Sequence, residues 1–129
     1  MERQVRAGRL GSASDIGAGG TMEITKQDLS DARRRLLELM QEINFGRIEG
    51  LVVKGGEPVF DPSPRVVREI KFGGENGPRR ELGSDEYILK SQVVEFFAHL
   101  SRLDNGTVET IQVKHGLPFL MSVEETIRV

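Results

Sequence analysis

The sequence predicts an α+β fold: a tandem α-β-β-β repeat forming a pseudo-twofold antiparallel sheet, with two helices packed on one face. Three observations lead there. Residues 46–60 (GRIEGLVVKGGEPVF) align without a gap on residues 106–120 (GTVETIQVKHGLPFL), sixty positions later, with six of fifteen identical. An amphipathic stretch precedes each copy, and the two stretches superimpose at the same offset: Leu36 on Phe96, Leu37 on Phe97, Met40 on Leu100, Ile43 on Leu103. At the far end Val67-Arg68 matches Ile127-Arg128. A fixed-period repeat outranks local propensity in deciding architecture.

The first helix is expected to start at Thr25, with Asp28 three residues on in a variant capping box and Ile24 and Leu29 as a hydrophobic staple. Leu29, Ala32, Leu36, Leu39, Met40 and Ile43 recur at three- and four-residue steps, the mark of a helix with one apolar face. Gly46 is the natural stop. Arg47–Lys54 is rich in branched residues and reads as a strand. Gly55-Gly56 is a hairpin turn, since both positions tolerate positive φ. Glu57–Phe60 returns as a short strand, with Pro58 near its start or on an edge because proline cannot donate to a ladder. Asp61-Pro62-Ser63-Pro64 interrupts the sheet, and Val66–Phe72 reads as a third strand.

Residues 73–83 (GGENGPRRELG) form a glycine-rich link. The second unit opens with Ser84 or Asp85 as N-cap. Its helix carries Ile88, Leu89, Val93, Phe96, Phe97, Leu100 and Leu103. The strand Thr107–Lys114, the turn His115-Gly116, the strand Leu117–Met121 and a last strand Val123–Val129 follow. The units therefore span 22–72 and 84–129. Residues 1–21 are rich in Gly, Ser, Ala and Arg, carry little to bury and are expected to form a flexible tail. Met22 opens a well-formed sequence, so this tail reads either as an upstream start or as an added expression scar. The structural turn positions are Gly46, Gly55, Gly56, Pro58, Gly106, Gly116 and Pro118. In both strand copies the apolar residues fall at 48, 51, 53 and at 108, 111, 113. A step of three followed by a step of two breaks the period of a strand, and a β-bulge near Glu49-Gly50 and Glu109-Thr110 is the simplest cause.

The chain has 129 residues and a net charge of −2, so no global field draws it to nucleic acid or a membrane. It has no cysteine, which excludes disulfides and thiolate metal sites and suits a reducing cytoplasm. No apolar run approaches the roughly 18 residues that span a bilayer. The two histidines, His99 and His115, read as a half-buried helix residue and an exposed turn residue, without metal-ligand spacing around them. Glu49 and Glu109 occupy matched positions and would approach each other only if the units pack about their pseudo-axis; a solvent-facing strand glutamate is the simpler reading. The loop Gly73–Arg80 lacks the pattern of a phosphate cradle. Arg33-Arg34-Arg35 fans around about 200° of a helix, too wide for one groove-reading face, and reads as solvated with Asp28, Asp31 and Glu38 nearby.

Ile43-Asn44-Phe45-Gly46-Arg47-Ile48 followed by Val53-Lys54-Gly55-Gly56-Glu57-Pro58-Val59 resembles the small bacterial YezD-like family of unknown function. Gly106-Thr107-Val108, His115-Gly116 and Ile127-Arg128-Val129 repeat the match, so this chain resembles two tandem copies over 36–72 and 96–129. The resemblance implies a helix, an aromatic-Gly strand, a Gly turn and a closing basic strand. It carries no catalytic residues to transfer. Asn105 replaces the aromatic residue of the second copy, and each copy has one extra residue between its glycines.

These residues lead to the expectation of a small non-enzymatic interaction and assembly module that needs no cofactor or metal. Its expected partner is a second copy or another protein. The alternative is nucleic-acid binding through the Arg-bearing tail and through Arg33, Arg34, Arg35, Arg79 and Arg80, which are the candidate phosphate or partner contacts. Scarce aromatics count against it. A ligand site in the cleft between the units ranks last, since no polar set converges there.

Overall fold

The computed structural model describes residues 24–74, 76–79 and 88–124. The expected tail over 1–21, the caps Ser84 and Asp85, Arg80 and the end of the last strand lie outside them. The chain is α+β; among the described residues it has two α-helices and a five-stranded antiparallel sheet. In chain order the elements are α1 (Asp31–Ile43), β1 (Gly46–Lys54), β2 (Glu57–Val59), β3 (Arg65–Arg68), α2 (Ser91–Leu103), β4 (Gly106–Lys114) and β5 (Leu117–Val123). β1 and β4 pair at the centre, from Gly46 opposite Val113 to Val53 opposite Gly106. β5 flanks β4. The outer side of β1 is shared: β3 pairs with Gly46–Glu49 and β2 with Val52–Lys54.

Both helices cover one face. Leu36, Leu37, Met40 and Ile43 of α1 and Val93, Phe96, Phe97 and Leu100 of α2 pack on Ile48, Leu51, Val53, Val108, Ile111 and Val113 in a single core. The three-then-two spacing is visible as burial: Ile48 and Leu51, and likewise Val108 and Ile111, are all fully buried. In β4 the register against β5 shifts between Val108 and Thr110, so Glu109 is the extra residue. In β1, Gly50 takes a positive φ of 74° between the rungs to β3 and those to β2. A second shift, between Gln112 and Val113, bulges β5 at Phe119.

Several boundaries depart from expectation. The Thr25–Asp28 capping box forms, with the Thr25 amide donating to Asp28 Oδ2 at 2.9 Å, but it closes only a 3-10 turn over Lys26–Asp28. Leu29 is then extended, and α1 starts at Asp31 with Ser30 Oγ accepting from the Arg33 amide at 3.2 Å. Two good caps five residues apart compete, and the turn set by the first buries Lys26. α2 starts at Ser91 because Ile88 and Leu89 serve another ladder: Ile88 bridges Thr25, and the Leu89 amide donates to the Ile24 carbonyl at 2.8 Å. The third strand ends at Arg68 because its rung is Gly46, the first residue of β1, so there is no further strand to pair. Ile70 and Phe72, expected within it, are left 60% and 96% exposed. β5 runs unbroken through Ser122 to Val123, where a new strand was expected; unlike the first half, it meets no proline after its start.

Candidate interaction surfaces

Each hairpin tip docks on the C-terminal cap of the opposite helix. The Gly56 amide donates to the carbonyl of Asp104, the C-cap of α2, at 2.8 Å; the Gly116 amide donates to that of Asn44, the C-cap of α1, at 2.9 Å. These bonds satisfy carbonyls that a helix end leaves orphaned. Gly55-Gly56 has φ of 59° and 76°, and His115-Gly116 has 56° and 73°, the doubly positive turn that suits a two-residue hairpin. Pro58 and Pro118 are buried opposite Val53 and Val113. Gly46 and Gly106 open β1 and β4.

The candidate arginines are mostly engaged within the fold. Arg33 Nη2 donates to the Gly56 carbonyl at 2.9 Å and to Ser101 Oγ at 2.7 Å, Nε lies 3.2 Å from Glu57, and the guanidinium stands 5.4 Å from the Phe97 ring centre. It ties α1 to the first hairpin and to α2, where a solvated residue was expected. Arg34 pairs with Asp31, and Arg35 lies 5.3 Å from the centre of the Phe60 ring. Arg79 is half-buried; its amide donates to the Gln41 carbonyl at 2.9 Å, and its side chain lies over Gly116. The run Arg33–Arg35 is thus brought into three separate settings rather than one surface. Lys26, which nothing in the sequence singled out, is fully buried with Nζ 3.1 Å from Gln41 Oε1.

The sheet face away from the helices carries Arg47, Glu49, Thr110 and Gln112. Arg47 and Arg65 contact Glu49 at 2.7 and 3.2 Å. The hydrogen bond from Arg47, with the charge of Arg65 beside it, outweighs desolvation and holds the Glu49 carboxyl below its ordinary range. Glu49 stands opposite Thr110, not Glu109, and Glu109 is exposed. His99 is exposed rather than half-buried, and His115 meets Phe45 edge-on at 4.8 Å. Among the described residues no three His, Asp or Glu side chains cluster to hold a metal. No helix among them is long and apolar enough to cross a membrane.

A groove of about 470 Å³ runs between α2 and β5. Phe96, Pro118, Met121 and Val123 line it, with Glu95 and His99 on its helix side. Gln92 Nε2 donates to the Pro118 carbonyl at 3.0 Å and ties the walls together. Phe119 and Leu120 beside it are more than half exposed. On the opposite edge of the sheet Val66 of β3 is exposed, as are Ile70 and Phe72 just past the end of that strand. The repeat marked β5 as a strand, but only the strand order shows that β3 and β5 lie on outer edges. Comparisons with family models, curated proteins and solved structures find no match for this chain.

Proposed function

We propose that this chain is a non-enzymatic interaction and assembly module of the cytoplasm, built from two repeated units about a pseudo-twofold axis, with the long β5 of the second unit standing where the first has β2 and β3. The elements themselves support the repeat: α1 and α2, and β1 and β4, have bounds that differ by sixty residues at both ends. The β1–β4 register maps onto itself when the units are exchanged, Gly46–Val113 becoming Val53–Gly106. The Gly56–Asp104 and Gly116–Asn44 bonds exchange in the same way. On this reading the chain is an internal pair of units similar to the YezD-like family.

The observation that carries the assembly role is where the exposed apolar side chains lie. Val66 lies on β3 at one outer edge of the sheet with Ile70 and Phe72 just past its end, and Phe119 and Leu120 lie on the other edge; Ile24, Ile88 and Val94 are exposed to a lesser or similar degree elsewhere. Open strand edges template pairing, and soluble proteins blunt them with charge, proline, bulges or short edge strands. Large exposed apolar groups concentrated there fit a surface meant to be covered. Light scattering after size exclusion, over a wide concentration range, tests the reading. A mass above 14.4 kDa that rises with concentration is expected; a strict monomer that also captures no protein overturns it. The nucleic-acid alternative stands second, since Arg33 is committed to Gly56, Ser101 and Glu57. A low-salt gel shift is expected to show no complex, and a salt-sensitive one would reverse the ranking.

A further inference from the structure

The two outer edges of the sheet differ in charge. On the β3 side, Arg68 and Lys71 alternate with Val66, Ile70 and Phe72, and neither base has a carboxylate partner among the described residues. Glu69 is the one acid within this ribbon. The ribbon is also ordered beyond its ladder: the Glu69 amide donates to the Phe45 carbonyl at 2.9 Å, and Asn76 closes on both backbone groups of Lys71, at 2.9 and 3.0 Å. Phe72 is therefore presented, 96% exposed, by a braced backbone. On the β5 side, Glu95 flanks the apolar groove and Glu124 follows the strand, both exposed and both without an ion pair among the described residues. Lys114 is the base on that side nearest Phe119, held 4.2 Å from its ring centre.

Strand direction makes the edges compatible. β3 runs antiparallel to β1, β1 to β4, and β4 to β5, so β3 and β5 point in opposite directions. If a second copy continues the sheet with its helices on the same face, its β3 meets β5 antiparallel, the pairing used throughout the sheet. Pairing β5 with β5 would also be antiparallel, but it sets Glu95 and Glu124 against the same acids, and like charges across an interface are unfavourable.

We propose that this protein assembles head to tail, the β3 edge of one copy docking on the β5 edge of the next, with Phe72 seated in the α2–β5 groove and Arg68 and Lys71 facing Glu95 and Glu124. This rests on the assembly reading above and names its partner: a second copy of this chain. Such a heterologous contact builds an open filament or, if the rotation closes, a ring.

Two variants of the full chain test it. Phe72→Asp blocks the β3 edge, and Glu95→Lys with Phe119→Lys blocks the β5 edge; all three side chains are exposed, and circular dichroism checks the fold. Each variant alone is expected to associate about ten-fold or more weakly than the parent chain. Mixed in equal amounts they are expected to form a species of twice 14.4 kDa, because each keeps the surface the other lacks, and that species should weaken as salt rises. A Phe72→Asp variant that assembles like the parent overturns the head-to-tail contact while leaving the assembly reading in place. So does a mixture that stays monomeric while the parent assembles. A parent chain that is itself strictly monomeric and captures no protein overturns the assembly reading instead.

Discussion

At the first hairpin tip, Gly56 reaches the cap of α2 within a polar cage: Arg33 holds the Gly56 carbonyl, and Asn105 Oδ1 accepts from the Gly55 amide at 3.0 Å. At the second tip, Gly116 reaches the cap of α1 among different side chains. His115 lies edge-on to Phe45, and the stem of Arg79 covers the glycine. The main-chain bond is the same at both, 2.8 and 2.9 Å, and so is the turn. Backbone geometry is thus the shared requirement, while the side chains around it differ between the halves. The contrast implies that substitutions touching the backbone act at both tips, and that those touching only side chains act at one.

The largest expected effect is Gly56→Ala. The added Cβ would lie 3.0 Å from Ser101 Cα and 3.5 Å from the Leu100 carbonyl, which belong to a packed helix and cannot move aside. A loss of about 3 kcal/mol follows from the positive φ together with overpacking. At Gly116 the nearest atom is Arg79 Cγ at 2.5 Å, a side-chain atom, and the nearest helix backbone atom, Gln41 Cα, stands at 3.3 Å, a little farther than Ser101 Cα from Gly56. Gly116→Ala should therefore cost about 1–2 kcal/mol. Adding Arg79→Ala should recover part of that, while doing nothing for Gly56→Ala. Denaturant titration of the four variants reads this out. Equal losses at the two glycines would break the contrast.

Arg33→Ala comes next. It removes the donor to Gly56 and Ser101 and the partner of Glu57, for about 1–2 kcal/mol given partial exposure. A double-mutant cycle with Ser101→Ala should show coupling. Additivity would mean that the Ser101 bond contributes nothing and that Arg33 acts through Gly56, Glu57 and Phe97.

What the sequence revealed, and what it concealed, follow the same division. The repeat exposed the turns, helix stops and strand phase, because those depend on residues with narrow backbone demands, such as Gly56, Gly116 and the apolar steps at 48, 51 and 53. The start of α1 was misplaced because Thr25 and Ser30 both satisfy the same local rule, and burial of Lys26 decides between them. Arg33 looked solvated because a run of three arginines gives no sign of which one faces a neighbour sixty-eight residues away. The exposure of Phe72 was hidden because Val66, Ile70 and Phe72 read as one strand face, although Arg68 breaks that pattern, and β1 has no residue left to pair with it. The α2–β5 groove depends on edge position, which is a property of strand order rather than of any segment.

A smaller effect separates Asn105 from His115. Asn105→Ala should cost about 0.5–1 kcal/mol, the worth of an exposed side-chain bond to the Gly55 amide. His115→Gly should be neutral within about 0.5 kcal/mol, because relief of the positive φ offsets the lost contact with Phe45. Thermal melts of both variants decide it. A large loss at His115 would mean that its ring braces the second tip as strongly as Arg33 braces the first.

The smallest effect sets Glu49 against Glu109, the acids at matched positions. Thr107 stands where the first half has Arg47, so Glu109 lacks the neighbouring guanidinium that Glu49 binds at 2.7 Å. The folded state lowers the pKa of Glu49, so its contribution is fully present above the unfolded value and is lost as pH falls through the folded one. Glu49→Gln should therefore lower the melting temperature slightly at neutral pH. The difference should vanish in acid, below the ordinary glutamate range, where the parent carboxyl is itself protonated. Because Arg65 is mostly exposed, added salt should shrink the difference as well. Glu109→Gln should leave the melting temperature unchanged at both pH values. A Glu49→Gln deficit that persists undiminished in acid would show that the side chain acts by packing between Arg47 and Thr110, and the two halves would then differ in shape rather than in charge.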